Sequence, residues 1–68
     1  MNLAVYAKNL KKFVDASGRT HRSISKELGI GETAFSRVIR GIRPPTYKQF
    51  VRLSEILGVK MEAFFEER

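Results

Sequence analysis

The 68-residue chain has no cysteine, so neither a disulfide nor a thiolate metal site can staple a core this thin. Stability then has to come from compact packing of short elements, with a dimer partner as a further source. The same absence fits a reducing compartment, and the expected location is cytoplasmic. One histidine with no cysteine and no clustered acids makes no metal site. No glycine loop cradles a phosphate, and no paired acids suggest a pocket. The chain therefore lacks a catalytic constellation, and we expect neither enzyme activity nor a cofactor. Long hydrophobic runs are missing too. "MNLAVYA" meets Lys8 too early for a signal sequence, and nothing approaches the roughly 18 apolar residues of a membrane span. Repeats and low-complexity segments are absent, and length allows one domain at most, expected over residues 1–68.

What the chain has is positive charge. The formal net charge is +6 and the isoelectric point is near 10.2. It is distributed unevenly. Residues 1–52 carry eleven Lys/Arg against Asp15, Glu27 and Glu32, a balance of +8, whereas residues 53–68 carry Lys60 and Arg68 against four glutamates, a balance of −2. A basic body with a mildly acidic end points to a polyanion on one face, although solubility alone also accounts for such charge.

Period-2 alternation never persists, while apolar residues recur at spacings of three and four, so the expected class is all-α with five short helices. Asn2 caps a first helix with the stripe Leu3, Tyr6, Ala7, Leu10, Phe13 and Val14, closed at Ser17–Gly18. Thr20 opens a second bearing Ile24 and Leu28 and closed by Gly29. The third spans Glu32 to Arg40, closed by Gly41. "IRPP" is an extended loop, because the residues before Pro44 and Pro45 are disfavoured in the helical region. Thr46 and Gln49 match a capping box for a fourth helix that ends at Leu57–Gly58. "VKMEAFFEER" supplies a short fifth.

Only "GIG", Gly29 to Gly31, joins the second and third helices, which forces a steep crossing of the helix-turn-helix kind, with a core of the motif at about residues 20–41. Ile30 plugs the crevice, and Ile24, Leu28, Phe35 and Val38 line the shared inner surface. At about 100° per residue, Thr33, Ser36, Arg37 and Arg40 fall in one stripe of the third helix. Phe35, Val38 and Ile42 fall nearly opposite, flanked by Ala34 and Ile39. The polar stripe is either an ordinary solvated face or a surface for base edges and phosphates, with arginine suited to guanine O6/N7. Helix starts add a second signal. His21 and Arg22 open the second helix and Lys48 lies in the first turn of the fourth, against the helix dipole. A phosphate approaching the same backbone N–H groups would offset that cost. For His21 a plain exposed side chain remains the other reading.

"THRSISKELGI", "TAFSRVIRGIRPPT", "FVRLSEILGV" and "MEAFF" together resemble the phage lambda Cro and repressor (XRE-like) helix-turn-helix DNA-binding family, over roughly residues 10 to 65. The resemblance implies a lambda-repressor-like domain and a double-stranded DNA partner. It makes residues 32–40 the helix for the major groove of a palindromic operator, in the service of transcriptional repression. It also implies that the starts of helices two and four, including Thr46, clamp the DNA backbone, and that Arg43 meets the sugar-phosphate chain. Glu32 departs from the Gln, Ser or Thr usual at the opening of helix three; it either satisfies the helix dipole after Gly31 or accepts from cytosine N4. Gln is common where His21 stands, and alanine where Ser25 stands.

Near the chain end, adjacent Phe64 and Phe65 would point about 100° apart on a helix and so could not both face one core. With Met61 they form surplus apolar surface, which the resemblance assigns to a homodimer contact. The competing arrangement folds both rings back over Leu10, Phe50 and Leu57. A rival function of another class is an antitoxin-like protein-interaction module that docks a partner through this C-terminal helix.

Overall fold

The computed structural model describes residues 2–67; Met1 and Arg68, the two ends of the expected domain, lie outside the described residues. Four α-helices follow in order, α1 (Leu3–Ser17), α2 (His21–Leu28), α3 (Glu32–Ile39) and α4 (Tyr47–Leu57), and a 3-10 turn, Met61–Phe65, closes the chain. Among the described residues there is no strand. The expected fifth α-helix is thus a single 3-10 segment, which suits a stretch of only five residues.

Local sequence fixes most of the boundaries. The Asn2 side chain accepts the Val5 N–H at 3.2 Å, and Thr20 Oγ1 accepts the Ser23 N–H at 3.0 Å. At α4 the capping box is complete: Thr46 Oγ1 accepts from the Gln49 backbone at 3.2 Å, and Gln49 Oε1 accepts from the Thr46 N–H at 3.0 Å. Each such cap contributes about 1 kcal/mol. Gly29 ends α2 at φ +74°, where its N–H donates to Lys26 O and the Ile30 N–H donates to Ser25 O, both at 3.1 Å. That pattern satisfies the last carbonyls and lets α3 begin at Glu32, three residues after Gly29. Gly31 precedes α3 without any side-chain cap, and Glu32 in the first turn supplies the negative charge instead.

The core gathers Tyr6, Leu10 and Val14 of α1, Ile24 of α2, Phe35, Val38 and Ile39 of α3, Leu53 of α4, and Phe64. The Tyr6 ring stacks on Phe64 at 5.1 Å between centroids, and Phe13 and Phe50 meet Phe64 edge-on at 5.4 and 5.6 Å. Phe65 also reaches Tyr6 and Phe50, each at 5.6 Å. Phe64 thus enters the core while Phe65 lies at its edge, so the two adjacent rings do not both face one core, although each touches Tyr6 or Phe50. Phe64 is fully buried and Phe65 remains 37% exposed.

Asn9 ties this arrangement down. Its Nδ2 donates to the carbonyls of Phe64 at 2.7 Å and Glu66 at 2.8 Å, satisfying backbone acceptors at the end of the 3-10 turn. The Tyr6 hydroxyl is buried and has no hydrogen-bond partner among the described residues; burial holds its pKa well above the ordinary phenol value.

Ile42 also departs from expectation. Helical spacing puts it on the anchoring face of α3, but it is 63% exposed. The helix stops at Ile39, Arg40 is its C-cap, and Gly41 turns the chain at φ +74°. Helical phase therefore does not carry through to residue 42.

Candidate nucleic-acid interface

Helix α3 buries Phe35, Val38 and Ile39 and turns Glu32, Thr33, Arg37 and Arg40 to solvent, with Ser36 half-buried beside them. The stripe thus stands out from the surface as the spacing predicted. A side chain at position 40 remains on it although the helix proper ends one residue earlier; Arg40 Nε leans back toward Ser36 O at 3.4 Å. Along the stripe beyond Glu32 there is no acid, so it offers hydroxyls and guanidinium groups.

The α2 start lies close by. His21 is exposed and meets the Phe35 ring edge-on at 5.7 Å, so the first residue of α2 borders the buried side of α3. Arg22 is exposed next to it. Ser25 fits where the two helices cross: it is buried, and its hydroxyl donates to Arg22 O at 3.0 Å, which removes the cost of burying it.

Arg19 and Glu27 enter the sequence only through the charge balance, and in the structure they form a pair. Arg19 donates to Ser23 Oγ at 3.0 Å and pairs with the Glu27 carboxylate. That hydrogen bond from Arg19 holds the Glu27 carboxyl below its ordinary pKa, and the positive charges of Arg19 and Arg52 act in the same direction. The pair ties the α1–α2 connection to the last turn of α2 and neutralises one of the few acids of the basic body. Its spacing of eight residues across a cap lies outside helical periodicity, so no sequence signal exposes it.

After α3 the chain folds back on itself. The N–H groups of Ile42 and Arg43 both donate to Arg37 O, at 3.0 and 3.3 Å, so one carbonyl of the central arginine holds the start of the loop. Gly41 sits against α1, where an added Cβ would come 3.2 Å from Ala7 Cβ. Pro45 is buried, whereas Arg43, Pro44, Thr46, Tyr47 and Lys48 are exposed. The expected backbone-contact residues of this region, Arg43, Thr46 and Lys48, therefore form an exposed rim that continues from the end of α3 into the first turn of α4. Two exposed apolar neighbours, Ile42 and Tyr47 at 74% exposure, were missed as surface features.

At the other end, Met61 is half-buried. A groove of about 560 Å³ runs between α1 and the C-terminal residues, lined by Val5, Lys8, Asn9, Lys12, Phe13, Ala63, Glu66 and Glu67. No group of three or more His, Cys, Asp or Glu that could hold a metal ion occurs among the described residues. No described helix is long and apolar enough to cross a membrane.

A sequence profile of the helix-turn-helix family matches residues 10–64. The chain belongs to the helix-turn-helix family, in its XRE-like branch. The fold is also that of the SOS-response transcriptional repressor LexA from Eubacterium rectale, known from a solution structure. The two superpose with a TM-score of 0.88 at 21% sequence identity, over 97% of this chain and 70% of that one. No curated protein matches the sequence. As a member of this family the chain is a DNA-binding transcriptional regulator, not an enzyme.

Proposed function

We propose that this helix-turn-helix protein is a sequence-specific repressor that places α3 in the major groove of a palindromic operator as a two-fold dimer. The observation that carries the reading is the exposed stripe of α3, held from behind by Phe35, Val38 and Ile39. Thr33, Ser36 and Arg37 read base edges, Arg37 matching guanine O6 and N7. Glu32 at the head of the helix either serves the dipole or accepts from cytosine N4.

His21, Arg22, Arg40, Arg43, Thr46 and Lys48 hold the phosphates on either side of the groove. Thr46 can do so while capping α4: its oxygen accepts from Gln49, and its own proton remains available to a phosphate. Such contacts position the protein, whereas those from α3 specify sequence.

The dimer contact falls to Met61 and Phe65, since Phe64 is consumed by its own core. A rival protein-docking module would lose the same ring and keep the same Phe65. A two-fold pair spaces the recognition helices about 34–36 Å apart. No membrane takes part, and the site of action is the cytoplasm, on the nucleoid.

Selection from a random duplex library at near-physiological salt tests the reading. Recovery of a near-palindrome with half-sites one helical turn apart is the expected result. Salt-sensitive binding without any enrichment would reduce the protein to a charge-driven binder.

A further inference from the structure

Among the described residues only two cations have a carboxylate within 4.0 Å: Arg19 with Glu27, and Arg52 with Glu55. Arg22, Arg40, Arg43 and Lys48 are exposed and have no such partner. Arg19 belongs beside them by position. It stands directly before Thr20, the cap of α2, and His21 and Arg22 follow at once.

Its guanidinium is nonetheless led away from that helix start. Arg19, Ser23 and Glu27 come at intervals of four, so the side chain lies along α2. It donates to Ser23 Oγ at 3.0 Å and pairs with Glu27 in the last turn, which leaves the arginine side chain only 29% exposed. Surface ion pairs contribute little to stability, so fastening the fold is a minor part of what this one does. Its larger consequence is electrostatic. Affinity for any duplex rises with each phosphate that a cation neutralises, because counterions are released. A free arginine at this place would add one such contact, and Glu27 cancels it.

We infer that Glu27 restrains DNA affinity by holding Arg19 along α2, away from phosphates that approach the start of that helix. The inference rests on the reading of α2 and α3 as the DNA-facing unit. The hydrogen bond from Arg19, and after it the charges of Arg19 and Arg52, keep Glu27 ionised and the hold in force. Arg52 has Glu55 as a second partner, so loss of Glu27 sets only Arg19 free. Of the three acids in residues 1–52, Glu32 sits at the head of α3 and Asp15 pairs with no cation among the described residues. Glu27 is thus the acid of the basic body that takes a cation out of use.

Fluorescence anisotropy with the selected duplex and with a scrambled one, over a range of salt, tests this in the full chain. Glu27→Gln and Glu27→Ala are each expected to tighten binding by about three- to tenfold on both duplexes and to steepen the salt slope by about 1. In an Arg19→Met background the same substitutions should lose most of that gain and leave the slope where it was. Asp15→Asn removes an equal charge from α1 without freeing an arginine, and its slope should match that of the wild type. Thermal midpoints should move little, because the pair lies at the surface.

Unchanged affinity and slope in both Glu27 variants would overturn the inference while leaving the role of α3 intact. Weaker binding would overturn it too, by making Glu27 a support of the site. A gain that survives in the Arg19→Met background, or that Asp15→Asn reproduces, would reduce the effect to overall charge and overturn it equally. Failure of the wild-type chain to bind any duplex would remove the underlying reading, and the inference with it.

Discussion

Tyr6, Phe13 and Phe50 surround Phe64 with ring centroids 5.1, 5.4 and 5.6 Å away, and Phe65 joins the cluster through Tyr6 and Phe50. Around Arg37 there is a single buried ring, Phe35, with His21 at its edge, and the rest of the α2–α3 unit is held by caps, a short turn and the Arg19–Glu27 pair. The first region derives its stability from burying large apolar surfaces, and Asn9 ties the end of the chain to that packing. The second keeps its exposed side chains out of its own structure. A chain of this length can present a whole helix face to a partner because another part of the molecule supplies the burial.

Substitutions should separate the two regions. Phe64→Ala is expected to have the largest effect, a loss of about 3–5 kcal/mol that leaves a domain this small largely unfolded. Circular dichroism under denaturant measures it, and a folded variant of near-normal stability would show that the aromatic cluster is dispensable. Next is Arg37→Ala, which should cost about 1–3 kcal/mol of binding on the preferred duplex and much less on random DNA. Its unfolding midpoint should hardly move. Equal weakening on both duplexes would make Arg37 a phosphate contact.

Asn9→Ala comes third. It removes both hydrogen bonds to the chain end and should lower stability by on the order of 1–2 kcal/mol, with hydrogen exchange at residues 64–66 accelerated most. The smallest effect, and the one of opposite sign, is expected from Tyr6→Phe. The hydroxyl it deletes is buried without a hydrogen-bond partner, so the denaturation midpoint should stay level or rise, by up to about 1 kcal/mol in stability. A clear drop would reveal that the hydroxyl has a role in the fold.

What could be read in the sequence follows from how local each cause is. Thr20 with Ser23, and Thr46 with Gln49, sit three residues apart and announce their helices. The stripe of Thr33, Ser36, Arg37 and Arg40 was legible for the same reason, since one helical period generates it. Ile42 was misplaced because that period was carried past Arg40, where the chain had already left the helix. The opposite fates of Phe64 and Phe65, one buried and one exposed, were legible because adjacent residues cannot share one direction, but the 3-10 form of the segment and the Tyr6 and Phe50 rings that meet both of them were not. Nothing local reveals Asn9, whose acceptors lie 55 and 57 residues away. Tyr47 went unnoticed because its neighbours Thr46 and Lys48 carried the recognisable chemistry.

The most direct test of the division between the two regions is an amide chemical-shift titration of the protein with its selected duplex. The account predicts that the largest perturbations fall on the starts of α2 and α4, along α3, and in the loop from Gly41 to Lys48, while the Asn9 side-chain amide and the Phe64 backbone amide stay nearly still. Perturbations centred instead on the groove of Val5, Lys8, Lys12 and Ala63, with α3 unmoved, would contradict it.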